Sequence, residues 1–201
     1  MKSTITSTLM LVIGVTIAGC GHMQSQGGTA LIDGAKGMDN WYVTGSAGNW
    51  RAEDGAIQAD KLVSGKGASV LASKRTFKDF EIVVEFWAAD ETNSGVYVRA
   101  PDPKTINTAS GAYEVQIWDR NPNPKYATGS LVNVAAVEPI HKAGGKWNTF
   151  EITAKGSEIT VRMNGVTTAH IKDAKNTGEG RIGLQFNGGP IKFRKLVVRE
   201  L

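Results

Sequence analysis

The sequence predicts an all-β fold, a two-sheet antiparallel β-sandwich, and three observations carry that prediction. Short segments with apolar residues at every second position recur along the chain, which is the period of a half-buried strand. Between them stand glycine, asparagine and proline, with 24 glycines among the 201 residues, the residues that turn one strand back against its neighbour. Spacings of three and four residues, the mark of an amphipathic helix, are scarce.

The amino-terminal residues stand apart from that fold. Met1-Lys2 is a short basic start, and "LMLVIGVTIAG" from Leu9 to Gly19 is an apolar run, too short for a stable membrane span and suited to the core of a signal peptide. Ile17-Ala18-Gly19-Cys20 resembles the lipobox of bacterial lipoproteins, which implies that residues 1–19 are removed and that Cys20 is lipidated, anchoring the chain to a membrane. Gly21 stands where an Asp favours retention in the inner membrane, so the expected location is the cell envelope, at the outer membrane on its periplasmic or surface face. Cys20 is the one cysteine, so no disulfide is available and the core alone must hold the fold. The polar, glycine-rich stretch that completes residues 20–28 reads as a flexible tether. Residues 29–201 show no composition break, repeat or low-complexity block and read as a single domain.

Within that domain the strands follow in order. "DFEIVVEFWA" places Ile82, Val84 and Phe86 on one face; "SGVYVRA" places Val96 and Val98; "SGAYEVQIWD" places Tyr113, Val115 and Ile117. "WNTFEITAKG" gives Phe150 and Ile152, "SEITVRMNG" gives Ile159, Val161 and Met163, and "GRIGLQFNGG" gives Ile182, Leu184 and Phe186. The turns "AKGSE" and "MNGV" carry residues that tolerate positive φ and predict hairpins. In "PIKFRKLVVREL" the phase breaks, because Ile191 and Phe193 have one parity and Leu196 and Val198 the other; a bulge near Arg194-Lys195 restores one buried row.

Charge excludes one class of partner. The chain has 23 Lys and Arg against 19 Asp and Glu, scattered along its length, whereas a nucleic-acid surface needs a concentrated basic stripe with interleaved aromatics.

Several phrases occur in a fixed order: "ALIDGAKGMDNW", "WRAEDGAIQA", "FKDFEIVVEFWAADETNSGVYVR", "GAYEVQIWD", "TGSLVNVAA", "GGKWNTFEITAKGSEITVRMNGV" and "GRIGLQFNGGPIKFRKLVVREL". Together they resemble the 3-keto-disaccharide hydrolase domain family, common in bacterial surface lipoproteins, from Ala30 to the end of the chain. The resemblance implies a jelly-roll sandwich of the concanavalin A-like lectin and glucanase type, with a concave sheet that accepts a sugar. It implies a hydrolase that cleaves 3-keto-glycosides, 3-keto-disaccharides among them. A ketone at carbon 3 acidifies the proton on carbon 2, so a base can form an enolate, the carbon-1 substituent can leave, and water addition completes a net hydrolysis. Some relatives are thought to hold the enolate with a divalent metal. This chain departs from the family pattern at Lys195 in "FRKL", at Asn187-Gly188, and at Val132.

Glu114 is the first candidate for the acid or base, since it lies opposite the Tyr113-Val115-Ile117 row and beside Gln116, where partial burial raises a carboxylate toward neutrality. Gln116 offers a donor and an acceptor to a hydroxyl or ketone. Glu85 and Arg99 lie opposite the apolar rows of their own strands; pairing of those strands in one sheet would bring both to the Glu114 surface, with Arg99 stabilising an enolate or a carboxylate. Two carboxylates also admit the ordinary glycosidase arrangement of acid and nucleophile or base. Trp118, on the Glu114 side of its strand, is the stacking platform for a sugar ring, and Asn93 in "ETNSG" and His141 in the long loop "EPIHKAGGKW" can reach the groove. No cofactor is required by any motif. His22, His141 and His170 have no zinc-ligand spacing, which leaves an oxygen-ligated Mn, Mg or Ca, for which Asp119 is the candidate ligand alongside its role as a loop cap. The expected partner is an oligosaccharide or 3-keto-glycoside. The rival reading is a non-catalytic carbohydrate-binding module or surface lectin that uses the same groove.

Overall fold

The computed structural model describes residues 27–172 and 174–201. The expected signal peptide, the expected lipidation site Cys20, most of the expected tether and His22 therefore lie outside the described residues. In chain order the strands are β1 (Thr29–Asp33), β2 (Trp41–Gly48), β3 (Arg51–Glu53), β4 (Ala56–Ala59), β5 (Leu62–Phe77), β6 (Phe80–Ala88), β7 (Asn93–Ala100), β8 (Tyr113–Trp118), β9 (Trp147–Lys155), β10 (Glu158–Met163), β11 (Val166–Ile171), β12 (Gly180–Phe186) and β13 (Ile191–Glu200). They form two antiparallel sheets. The larger has eight strands in the order β11-β10-β9-β6-β13-β4-β3, with β1 also on β13, and the smaller has five in the order β2-β5-β12-β7-β8.

The apolar rows read from the sequence meet between these sheets. Ile82, Val84, Phe86, Phe150, Ile152 and Phe193 of the larger sheet and Val96, Val98, Val115, Ile117 and Leu184 of the smaller are all buried members of one core cluster. Each such side chain contributes about 1.5–3 kcal/mol on burial. Phe86 and Phe150 are diagonal neighbours on paired strands, with ring centroids 4.7 Å apart.

Local chemistry sets the hairpins and the bulge. β9 turns into β10 through Gly156 and Ser157, with Gly156 at positive φ, and β10 into β11 through Asn164 and Gly165, where both residues have positive φ, the geometry that matches the right-handed twist of paired strands. The phase break in β13 is a register shift against β6 between Phe193 and Lys195. It keeps Ile191, Phe193, Leu196 and Val198 all in the core, and it divides one edge of β13 between β4 on residues 191–193 and β1 on residues 195–198.

Filling one face of each sheet leaves the other free. The outward face of the smaller sheet carries a second, small cluster of Val70, Ala72, Tyr97, Ala100, Ile106 and Ala112. Ile106 comes from the β7–β8 connection, which is tied over β2 where the Tyr42 hydroxyl donates to the Pro103 carbonyl at 2.7 Å and the Thr44 hydroxyl to that of Lys104 at 2.5 Å. A roof over β2, β5 and β12 leaves the polar residues of the face toward β7 and β8. Among the described residues no helix is long and apolar enough to cross a membrane.

Candidate functional site

Strand register places two rows of side chains across the outward face of the smaller sheet. One row runs Tyr42, Ala72, Gly183, Tyr97 and Glu114, and the next runs Thr44, Val70, Gln185, Gly95 and Gln116. A third step pairs Asn93 with Trp118. The face changes from apolar at β5 to polar at β8, and its polar members are buried: Glu114, Gln116 and Gln185 are 7%, 5% and 5% exposed.

Glu114 leans diagonally across β7 to meet β12. Its Oε1 accepts from Gln185 Nε2 at 2.8 Å, and the Tyr97 hydroxyl donates to the same carboxylate. The second Gln185 N–H donates to the Tyr97 oxygen, so three side chains close a ring of hydrogen bonds. Glycine at position 95 makes room for it, since a Cβ there would lie 2.8 Å from Glu114 Oε1 and 3.0 Å from its Cγ. Burial pushes the Glu114 pKa up to about 7, against the lowering effect of its bonds from Tyr97 and Gln185. Burial also raises that of Tyr97 far above the ordinary phenol value, with the nearby Glu114 charge adding to the effect, so Tyr97 is a hydrogen-bond donor at any physiological pH. The Gln185 carbonyl oxygen, Oε1, is buried without a hydrogen-bond partner.

Beyond β8 the face is extended by residues 128–132, through bonds from Gly129 N to Gln116 O, from Gln116 N to Ser130 O and from Val132 N to Glu114 O. Val132, one of the departures from the family pattern, thus flanks Glu114. Two clefts lie at the ends of β8. One of about 470 Å³ is lined by Ala112, Tyr113, Val132, Asn133 and Asn176 among others, and one of about 820 Å³ by Asp90, Asp119, Arg120, Ile140, Lys142 and Gly144 among others. Glu114 and Gln116 lie on the strand between them and line neither, and Trp118 and Asn93, paired at the Asp119 end of the strand, are half-buried. His141 lies between Ile140 and Lys142 and is half-buried. The Gln116 carbonyl turns back to its own strand, accepting from Ile117 N at 3.2 Å.

Asp119 organises a loop. Its Oδ1 accepts from Thr128 at 2.6 Å and its Oδ2 from the backbone N–H groups of Ala143 and Gly144, both at 2.8 Å. Those donors hold residues 119–144 against the sheet and engage both carboxylate oxygens. Among the described residues no three His, Cys, Asp or Glu side chains gather as metal ligands, and the Glu114 carboxylate faces hydrogen-bond donors. This donor set does not fit the divalent metal implied by the family resemblance.

Two expected members of the surface are elsewhere. Glu85 is on β6 of the larger sheet, where its carboxylate accepts from Arg194 Nε at 2.6 Å and lies 3.7 Å from Lys195; β6 and β7 are consecutive in sequence but belong to different sheets. Lys195, another departure from the family pattern, therefore lies away from Glu114. Arg99 is on β7 but has φ +53°, and the β7–β12 register shifts beside it. That left-handed residue breaks the alternation and sends the guanidinium into the fold. It is 0% exposed, bonded to the carbonyls of Lys78, Gly156 and Asn176 and to Asp79 at 3.1 Å. Arg99 joins turns at one end of the sandwich and does not reach the groove.

Sequence reading missed Tyr97 and Gln185. Both were accessible to the parity argument that found Glu114, since Tyr97 lies between Val96 and Val98, and Gln185 between Leu184 and Phe186. The third departure, Asn187, is exposed just past β12, where its backbone N–H donates to Asn93 O at 3.0 Å, at the rim of the same face.

Solved structures share this architecture. A "putative glycosyl hydrolase" from Parabacteroides distasonis ATCC 8503 is 25% identical with a TM-score of 0.64, covering 76% of this chain and 90% of its own. A second protein so described from the same organism is 17% identical with a TM-score of 0.73, covering 87% and 94%. The beta-glucanase of Bacillus licheniformis is 12% identical with a TM-score of 0.60, covering 89% and 100%. No significant match was found among curated sequences. The family model described as a 3-keto-alpha-glucoside-1,2-lyase-like domain matches residues 27–199. With nearly the whole sandwich inside that match, and the Glu114 ring within it, the chain belongs to the family of 3-keto-alpha-glucoside-1,2-lyase-like domains.

Proposed function

We propose that this carbohydrate-active domain cleaves glycosides whose sugar carries a ketone at carbon 3, with Glu114 as the base that removes the proton from carbon 2. The observation that carries the reading is the Glu114 carboxylate itself: buried, held by two neutral partners and poised at a pKa of about 7. A carbon acid beside a ketone needs a base stronger than an ordinary carboxylate that is still ionised near neutrality, and proton transfer is efficient when the two conditions meet. With Gln185 and Tyr97 holding the carboxylate, a lone pair those donors leave open takes the proton. The C2–H electron pair passes into an enolate onto the carbon-3 oxygen. Its return forms the C1–C2 double bond as the C1–O bond breaks, and the leaving oxygen takes up a proton. Water added across the double bond would make the net reaction a hydrolysis.

An ordinary glycosidase places two carboxyl groups on either side of the scissile bond. Glu85 is on the other sheet and Asp119 is engaged in its loop, so neither candidate supplies the second group, whereas elimination requires one base. Trp118 and Asn93 at the rim are suited to the ring face and hydroxyls of the sugar. Lipidation at Cys20 would place this reaction at the cell envelope.

The test offers the purified protein a 3-keto-glucoside deuterated at carbon 2 and the unoxidised parent glucoside. Release of the carbon-1 substituent from the keto sugar alone, with loss of deuterium and a primary isotope effect, is the expected result. Equal cleavage of the parent glucoside would overturn the elimination. Binding of both sugars without cleavage of either would make the domain a carbohydrate-binding module.

A further inference from the structure

We infer that Gln185 determines specificity at carbon 2: its unpartnered carbonyl accepts the hydrogen bond of the carbon-2 hydroxyl while Glu114 takes the proton from that same carbon. This rests on the reading of Glu114 as the base and adds the group that tells the base which carbon to attack.

The argument begins with what Gln185 has left to give. Both N–H groups of its amide are committed, one to Glu114 Oε1 at 2.8 Å and one to the Tyr97 oxygen. That fixes the plane of the amide and the direction of its carbonyl. Oε1 is buried with no partner, in a residue 5% exposed. Buried polar groups in folded proteins are paired in the great majority of cases, and an unpaired carbonyl costs about 1–3 kcal/mol. The missing partner must be a donor, because a carbonyl only accepts.

Two further features restrict that donor. Gln185 faces Gly95, and Gly95 faces Gln116, so the intervening strand adds no side chain beside the amide and Glu114 is the group that lies over Gly95. Covalent geometry keeps the oxygen and nitrogen of one amide within about 2.3 Å of each other, so the free acceptor lies close to the carboxylate that its own nitrogen holds. A ligand that satisfies both must therefore present a donor beside the bond that Glu114 attacks.

On a 3-keto-glycoside the ketone, the ring oxygen and the glycosidic oxygen are acceptors only. Carbon 2 carries a hydrogen and a hydroxyl together, so one tetrahedral carbon can give its proton to Glu114 and point its O–H at Gln185. Inverting that carbon exchanges the two groups and breaks the match. Gln185 is neutral, so its carbonyl accepts the hydroxyl without placing a second negative charge beside the base.

The experiment measures kcat/KM for a 3-keto-glucoside and its 2-deoxy analogue in the wild type and in Gln185→Met, which keeps bulk but has no amide. Loss of the support that Gln185 gives Glu114 lowers both substrates alike, and the intrinsic acidity of each carbon-2 proton is the same for both proteins. The ratio of ratios therefore isolates the carbonyl. Wild-type preference for the 2-hydroxy sugar should fall by about 10- to 100-fold in the variant. An unchanged ratio with both rates lowered would overturn the role of Gln185 and leave Glu114 standing as base. Wild-type protein that cleaves neither sugar would overturn both readings. Should Gln185→Met fail to fold, affinities of the two sugars for Glu114→Gln decide the matter, equal affinities being the overturning result.

Discussion

Glu114 and Glu85 occupy comparable positions in sequence, each opposite an apolar row on a short strand, and the fold treats them in opposite ways. Glu85 is on the outward face of the larger sheet among cations, bonded to Arg194 and near Lys195, with 24% of its side chain exposed. Glu114 is on the outward face of the smaller sheet among neutral partners, 7% exposed. Water and nearby cations stabilise a carboxylate's charge, and burial beside an amide and a phenol does so less completely. The same residue type on the same kind of strand is thus a surface ion pair in one region and a buried carboxylate with its pKa pushed up to about 7 in the other. What differs is the setting: residues 128–132 extend the smaller sheet past β8 beside Glu114, and Gly95 gives the carboxylate room to lie against Gln185.

The sharpest way to break this comparison is to remove each carboxylate. Glu114→Gln should lower kcat/KM on a 3-keto-glucoside by about 10³-fold, within the 10²–10⁴ range of a general base, while Glu85→Gln should change it by less than about twofold. Comparable losses in both variants would end the distinction between the two faces.

Acidity provides the next test, and its sign is unambiguous. Glu114 in the folded protein holds its proton up to about pH 7, well above the range of an unfolded glutamate, so the native state binds more protons than the unfolded state between those values. Stability from this group is fully present below the unfolded pKa and is lost as pH rises through 7, a change of about 3 kcal/mol for a shift from 4.5 to about 7. Activity should run the other way, rising with pH through the same value because the base must be ionised. Denaturant melts from pH 4 to 9 should therefore show Glu114→Gln flattening the stability slope and gaining on the wild type at high pH.

A smaller effect tests the space beneath Glu114. Gly95→Ala introduces a Cβ 2.8 Å from Glu114 Oε1 and 3.1 Å from the Val115 carbonyl, at a position whose backbone is not in the left-handed region. The carboxylate must move off Gln185, and kcat/KM should fall by about 10- to 30-fold, with about 1–2 kcal/mol lost from the fold by overpacking. A wild-type rate in a well-folded variant would show that the Glu114–Gln185 contact is dispensable.

Much of this architecture was legible because strand parity is a local rule. Ile82, Val84 and Phe86, the Tyr113-Val115-Ile117 row, and the bulge after Phe193 all follow from counting by twos. Glu114 followed from the same count. The assembly of the site was less legible, because sheet membership is not local: β6 and β7 are separated by a short turn yet lie in opposite sheets, and nothing in "EFWAADETNSGVYVR" marks that crossing. Arg99 escaped for another reason. Its φ of +53° is a conformation in which non-glycine residues are uncommon, held by four hydrogen bonds from segments distant in sequence. Gln185 and Tyr97 were missed although their parity was plain, since only the register of β12 with β7 and of β7 with β8 shows that they meet Glu114.

The smallest expected effect is on the other side of the comparison. Arg194 lies over the Trp147 ring with its guanidinium 4.3 Å from the centroid while donating to Glu85 at 2.6 Å, so it has two partners and loses one when Glu85 is replaced. Exposed pairs of this kind contribute about 0.2–1 kcal/mol, and long side chains give up rotamer freedom to form them. Cation–π contact with Trp147 persists without the carboxylate. Glu85→Gln should therefore destabilise the fold by less than about 1 kcal/mol, and the difference should shrink in 1 M salt, where surface charges are screened within about 3 Å. A loss several times larger, insensitive to salt, would mean that Glu85 is as deeply engaged as Glu114, and the contrast between the two faces would then lie in their chemistry and not in their exposure.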